Sequence, residues 1–206
     1  MLKAAVRSDQ YIYVNRKGFD FKLKTYRMTI AGLTRDLPVF PINDKISIAA
    51  FILFGDAEMT VACARDLLKK VPDFDIIITP EAKSIPLAHE MSRQSGKKYI
   101  VARKREKLYM GKPFSVEVQS ITTQGTQKLF LSEYEAPLMA GKRVLIVDDV
   151  ISTGASLTAV EELVKKAGGN IVGCCSVLAE GEAADRGDII FLEPLPLLEN
   201  DGETTK

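Results

Sequence analysis

The chain has 206 residues, 46% of them hydrophobic and 27% charged, the make-up of an ordinary globular protein of one domain or one domain with a small appendage. Its formal net charge of +1 gives no sign of the basic surface that bulk nucleic-acid binding needs, and the apolar run at 46–54 is too short for a membrane span. Three cysteines, Cys63, Cys174 and Cys175, offer neither a disulfide framework nor metal-ligand spacing, and residues 1–10 lack the apolar core of a signal peptide, so a reducing cytoplasm is expected.

Taken in chain order, residues 11–14 and 19–26 alternate around an Asn-Arg-Lys-Gly segment at 15–18, which predicts a β-hairpin. Residues 35–41 contain Pro38 and Pro41 and are predicted to be irregular. Asp56 is a good N-cap for a helix over about 57–70. Met59, Ala62, Cys63, Leu67 and Val71 share a face of that helix, and Pro72 stops it. The apolar run at 75–79 suits a buried parallel strand. A second helix over 84–94 should end at Gly96. Residues 98–102 read as a strand, 103–113 as a basic loop, and 114–118 and 127–131 as two strands around a Thr/Gln/Gly turn. A strand at 142–147, a helix at 155–167 ended by Gly168 and Gly169, and strands at 171–178 and 189–192 complete the series. This alternation predicts an α/β fold, a mostly parallel sheet flanked by helices, with a polar, mobile tail at 200–206.

The most informative stretch is Arg143-Val-Leu-Ile-Val-Asp-Asp-Val-Ile-Ser-Thr-Gly-Ala-Ser156. An apolar strand ends in Asp148 and Asp149, and ligands of parallel sheets sit at such strand ends. Adjacent carboxylates on extended backbone point different ways and need not repel; both can accept from vicinal hydroxyls, and one can help hold a divalent cation. Ser152, Thr153, Gly154, Ala155 and Ser156 then turn into a helix N-terminus, where free N–H groups and the helix dipole favour a phosphate. An Asp pair alone would more often be a helix cap. The full order of strand, double acid, small-hydroxyl-Gly turn and helix outweighs that reading. No Gly-Lys-Ser/Thr follows, which excludes a P-loop, and the dinucleotide fingerprint is absent.

This segment resembles the phosphoribosyl pyrophosphate signature of the type I phosphoribosyltransferases. Arg35-Asp-Leu-Pro-Val-Phe-Pro41 is similar to the segment that opens the adenine branch of that family, and Ala102-Arg-Lys-Arg-Glu-Lys-Leu108 to the start of its flexible active-site loop. The resemblance covers roughly residues 35–180. It implies the type I fold with a small N-terminal hood and a flexible β-hairpin lid, divided as 1–55 hairpin and hood, 56–198 core and 199–206 tail. It implies that Asp148 and Asp149 bind ribose, act as the catalytic acids and meet Mg²⁺, directly or through the ligand. Residues Ser152, Thr153, Gly154, Ala155 and Ser156 would cradle the 5-phosphate. Ala82 and Lys83, in the Glu81-Ala-Lys83 turn, would grip pyrophosphate together with Arg103 and Lys107, with Tyr109 in the same lid. Val150 and Phe191 are candidates for the base pocket. A homodimer acting on phosphoribosyl pyrophosphate and a purine base is the implied setting; residues 1–34 read as hairpin rather than helix-turn-helix, so no DNA-binding module is expected, and the short apolar run predicts no membrane association.

Each secondary residue has a plainer reading. Lys83 alone would be a solvated surface lysine, and the basic run at 103–107 a solvated loop or an RNA-binding patch. Phe191 would be a core ring. His89, the sole histidine, reads as a surface or packing residue, and the cysteines as core. Two elements of the adenine enzymes have no counterpart. Their Tyr-x-x-Glu falls where this chain reads Val118-Gln-Ser-Ile-Thr-Thr-Gln-Gly125, and their hood Arg-Asp where it reads Lys45-Ile-Ser-Ile-Ala-Ala50. The Ser-Ile-Thr-Thr-Gln run is also similar to xanthine phosphoribosyltransferases and bacterial purine repressors. Three readings follow: transfer of the phosphoribosyl group to a purine base, adenine-like first and xanthine- or guanine-type as the variant; a non-catalytic sensor of phosphoribosyl pyrophosphate; and an unrelated flavodoxin-like or receiver domain holding Mg²⁺. A receiver would carry its acid pair after the first strand, whereas this pair comes late.

Overall fold

The computed structural model describes residues 24–119 and 126–200, together with the strand backbone at 6–7, 10–14 and 20–22. The chain forms two compact units, Met1–Phe51 with Pro196–Lys206, and Ile52–Leu195.

In the first unit, β1 (Val6–Arg7), β2 (Gln10–Val14) and β3 (Asp20–Lys22) form a three-stranded antiparallel sheet. The predicted hairpin is present in the pairing of Val14 with Asp20, while its connecting segment lies outside the described residues. Its second arm is shorter than expected. Residues from Thr25 belong instead to β4 (Thr25–Ile30), which pairs with β5 (Leu33–Pro41) through a two-residue turn at Ala31 and Gly32. Both turn residues have positive φ, 50° and 81°, as the right-handed strand twist favours in tight hairpins. β6 (Ile46–Ala49) and β14 (Leu198–Glu199) extend this into a four-stranded sheet of order β14-β6-β5-β4.

The expected irregularity at 35–41 is therefore wrong: Pro38 and Pro41 lie within strand β5. Proline is tolerated where the ladder needs no N–H from it. The Val39 N–H donates to the Lys24 carbonyl at 2.8 Å, which makes Thr25 and Pro38 a non-hydrogen-bonded pair, and the Pro38 carbonyl accepts from the Ala50 N–H at 2.8 Å. Pro41 is the last residue of the strand.

The second unit is built on five parallel strands: β7 (Ile76–Pro80), β8 (Lys98–Ala102), β11 (Arg143–Ile151), β12 (Asn170–Glu180) and β13 (Ile190–Leu195). Their order is β13-β12-β11-β7-β8, every neighbouring pair parallel. Three helices serve this sheet, α1 (Ala57–Leu68), α2 (Ile85–Ser95) and α3 (Ala155–Lys166), and an antiparallel ribbon of β9 (Phe114–Gln119) and β10 (Thr126–Leu131) packs against α3. The turn predicted between β9 and β10 lies outside the described residues.

The helix boundaries follow local chemistry. Asp56 caps α1, its carboxylate accepting from the Met59 N–H at 3.1 Å, and Met59, Ala62, Cys63 and Leu67 are buried as the spacing predicts. Asp56→Ala is expected to lower stability by about 1 kcal/mol, read as a shift in denaturation midpoint with unchanged m-value. Gly96 ends α2 in the left-handed conformation at φ 70°, where side chains are disfavoured. Every residue of β7 is buried, as expected for a strand covered on both faces. Ile76, Ile78 and Ile146 from the sheet meet Leu157, Val160 and Leu163 of α3 in the main core.

The topology singles out one place. From β7 the chain moves outward to β8, whereas from β11 it moves the other way through β12 to β13. The carboxyl ends of β7 and β11 therefore flank a switch point, where the connecting loops diverge and leave a crevice.

Candidate active site

A cleft of about 190 Å³ opens at that switch point. Three of its walls come from β11 (Asp148, Asp149 and Val150), from the turn after β7 (Pro80 to Ser84), and from Ser156 in the first turn of α3; Lys104, from the loop after β8, completes it.

β11 is longer than predicted. It runs through both acids to Ile151, with Asp148 opposite Ser176 and Val150 opposite Leu178 on β12. The acids are thus held in a ladder rather than in a loose turn after it. Asp149 is only 4% exposed. The Asp149 N–H donates to Asp148 Oδ1 at 2.9 Å. The two carboxyls, expected to point different ways without repelling, act on each other here. Burial, and then the like charge of Asp149, push the Asp148 carboxyl well above the usual carboxylate range. The hydrogen bond from the Asp149 N–H opposes that shift without cancelling it.

The counter-charge comes from the β7 turn. Lys83 Nζ lies 2.8 Å from Asp149 Oδ2, with the lysine half exposed and the aspartate buried. Beyond this ion pair, that oxygen has no hydrogen-bond partner among the described residues. An acceptor buried at a cleft wall without a geometrically good donor is a point where a ligand hydroxyl can bind. The turn itself is fixed from behind. The Thr79 hydroxyl donates to Ser84 Oγ at 2.8 Å, and Ser84 Oγ donates to the Pro80 carbonyl at 2.9 Å, both side chains being fully buried. The Glu81–Ala82 peptide is cis.

Glu81 joins this turn to the basic loop. Its backbone N–H donates to the Ala102 carbonyl, its carboxylate accepts from the Lys104 N–H at 2.9 Å, and it faces Arg103 Nη1 at 3.7 Å. The basic residues are therefore distributed differently from expectation: Lys104 lines the cleft, Arg103 is turned to Glu81, and Lys107 is outside the lining. The Arg103 backbone bridges to Phe130 on β10, so the loop leaves the sheet beside the ribbon. Leu108 and Tyr109, in the short 3₁₀ segment Leu108–Met110, are exposed.

Of the five residues, Ser156 lines the cleft, Ser152, Thr153 and Gly154 form the approach to α3, and Ala155 is its first residue. Gly154 stands at the helix N-terminus with φ 80°, and no side chain caps the helix. Val150 lies in the cleft wall. Phe191 does not: it is part-buried against the main core, and its carbonyl accepts from Lys70 Nζ at 3.2 Å. His89 is exposed and edge-on to Tyr99, away from the cleft. The three cysteines are buried and free, with burial raising the Cys174 thiol to about 12.

Glu81 and Lys104 are the residues that sequence reasoning undervalued. An acid opening a turn whose third residue is a lysine, and a basic run just beyond the next strand, were the available signals. Only the side-by-side placement of β7 and β8 brings them together.

Residues 58–194 match the phosphoribosyl transferase domain. An adenine phosphoribosyltransferase of Kosmotoga olearia is 31% identical over 170 residues, covering 81% of this chain and 91% of that protein. A hypoxanthine/guanine phosphoribosyltransferase of Methanotorris igneus is 34% identical over 146 residues, covering 70% of this chain and 73% of that protein. The crystal structure of adenine phosphoribosyltransferase from Thermoanaerobacter pseudethanolicus superimposes with a TM-score of 0.60 at 22% identity over 83% of this chain and 95% of that one, a likeness of fold. The match over 58–194 contains every wall of the cleft, and the chain belongs to the phosphoribosyltransferase family.

Proposed function

We propose that this protein transfers the 5-phosphoribosyl group of phosphoribosyl pyrophosphate to a purine base, adenine-like in the first instance, releasing pyrophosphate and forming a nucleoside monophosphate. The observation that carries the reading is the acid pair of β11, with buried Asp149 on Lys83, beside the N-terminus of α3 in one cleft. The relatives named for adenine and for hypoxanthine/guanine support the purine class.

In this reading Asp148 and Asp149 accept hydrogen bonds from the ribose hydroxyls, and the turn from Ser152 to Ser156 holds the 5-phosphate with backbone N–H groups and hydroxyls. The bond between the anomeric carbon and the pyrophosphate oxygen breaks as a base nitrogen bonds to that carbon. Positive charge grows on the ribose ring meanwhile, and the nearby carboxylates stabilise it. Lys83 and Lys104 face the negative charge of the departing pyrophosphate; Arg103 and Lys107 join them when the basic loop closes and excludes water. Lys83 leaves Asp149 for pyrophosphate in that step, and the ribose hydroxyls replace it on the acid.

No cluster of three or more metal-ligating side chains occurs among the described residues. The two β11 carboxylates suit Mg²⁺ held mainly by substrate oxygens and water, the usual way this ion is bound at phosphates. When bound, it neutralises charge on the pyrophosphate oxygens. A homodimer and a reducing compartment belong to the same proposal, the second supported by three free buried thiols. No helix among the described residues is long and apolar enough to cross a membrane.

The test is product formation from phosphoribosyl pyrophosphate with adenine, guanine, hypoxanthine, xanthine or orotate in turn. Adenine is expected to give the highest kcat/KM. A preference for orotate would refute the purine assignment. Tight binding of phosphoribosyl pyrophosphate with no turnover of any base would make the protein a sensor.

A further inference from the structure

Arg186 has no role in the scheme above, yet its side chain meets the turn that holds the 5-phosphate. It follows the 3₁₀ segment Gly181–Asp185 beyond β12. Its Nε and Nη2 donate to the two carboxylate oxygens of Asp188 at 2.9 and 2.6 Å. That planar fork fixes the guanidinium and leaves Nη1 on the opposite side. Nη1 lies against Gly154: a Cβ built on Gly154 would be 2.7 Å from it. Nη1 makes no hydrogen bond to the described residues.

A cation here is out of keeping with a bare helix. α3 has 12 residues, its N-terminus carries the positive end of the dipole, no side chain caps it, and its first turn holds no acid. A residue serving only helix stability at this end would be an acid or a hydroxyl cap. Glu161, two turns into α3, and the Cys174 thiol are the other titratable groups that act on Arg186 besides Asp188, and Asp188 alone binds it. The arrangement makes electrostatic sense when an anion sits against both the guanidinium and the helix end. It also gives a second reason, besides φ, why residue 154 is glycine: a methyl group would displace a tethered Arg186.

We infer that Arg186 binds the 5-phosphate of the substrate through Nη1, and that Asp188 is the positioning residue that aims it. This rests on the proposed transferase function and adds a residue that the β11 signature does not contain. The experiment is calorimetric titration of ribose 5-phosphate and, separately, of magnesium pyrophosphate into the wild-type protein and the variants Arg186→Gln, Arg186→Lys and Asp188→Asn. Loss of one charge-assisted hydrogen bond predicts roughly 10- to 100-fold weaker ribose 5-phosphate binding in Arg186→Gln, with pyrophosphate changed by less than about twofold. Arg186→Lys should recover part of the loss, and Asp188→Asn should show a smaller loss. Unchanged ribose 5-phosphate affinity in Arg186→Gln, or equal weakening of both ligands, overturns the assignment while leaving the transferase reading intact. Should Arg186→Gln melt early, Arg186→Lys against wild type carries the same comparison. Failure of the wild-type protein to bind either ligand overturns the transferase reading and this one together.

Discussion

Asp148→Asn combined with Asp149→Asn is expected to abolish binding of phosphoribosyl pyrophosphate and, at neutral pH, to raise the melting temperature. The first effect follows from the loss of two acceptors of the ribose hydroxyls, the charged one worth about 1.5–3 kcal/mol and the protonated one about 0.5–1.5 kcal/mol, so kcat/KM should fall by roughly 30- to 1,000-fold or more. The second follows from burial. The folded chain holds Asp148 where burial and Asp149 both disfavour its charged form. Its folded pKa lies above its unfolded value, so the native state binds this proton more tightly than the unfolded state. Stability from this group is then greatest below about pH 4, the ordinary carboxylate value, and declines as pH rises through neutrality toward the raised value. The asparagine pair removes that dependence. Its stability–pH curve should be flatter above pH 4, and a gain of about 1–2 kcal/mol at pH 7 corresponds to a few degrees. Thermal melts across pH 4–8 and a binding titration check the two halves. A variant that binds normally would remove the acids from the ribose site. A variant that loses binding with no gain in stability would contradict the burial argument.

Lys83→Met should lower kcat/KM for phosphoribosyl pyrophosphate by roughly 10- to 100-fold, the worth of one charge-assisted contact to pyrophosphate. It should also destabilise the free protein, because Asp149 Oδ2 is buried and loses the ammonium 2.8 Å away. The lysine is half exposed, so the loss is a small fraction of that for a fully buried pair, about 1 kcal/mol. A double-mutant cycle with Asp149→Asn separates the roles. In stability the two changes should be strongly non-additive, since either one breaks the ion pair. Additive effects there would mean that the pair contributes nothing to the resting state.

Much of this was legible in the sequence because it depends on local rules. The parallel sheet follows from short apolar runs alternating with capped amphipathic segments, and Asp56, Gly96 and Gly154 mark helix ends by chemistry that acts within one turn. The stretch from Asp148 to Ser156 is contiguous, so its strand, acids and helix start could be read without knowing the fold. Pro38 and Pro41 misled because proline forbids an N–H donor, while whether a strand needs that donor depends on which partner lies alongside.

What the tertiary structure alone decided are the relations between distant segments. Strand order put β7 next to β11, and with it Lys83 on Asp149, a separation of many residues that no spacing rule reaches. Pairing of β7 with β8 put Glu81 on the Lys104 N–H and brought Lys104, rather than Arg103 or Lys107, to the cleft. The fold carried Arg186 to Gly154, and it set Phe191 part-buried against the core rather than at the cleft. Charges also acquired meaning only there, since a carboxylate's proton affinity depends on solvent access and neighbouring charge, and both are set by packing. The sequence by itself determined the sugar-phosphate signature and the sheet that displays it; only the folded chain decided which cations face the acids, because ion pairs act through space and not along the chain.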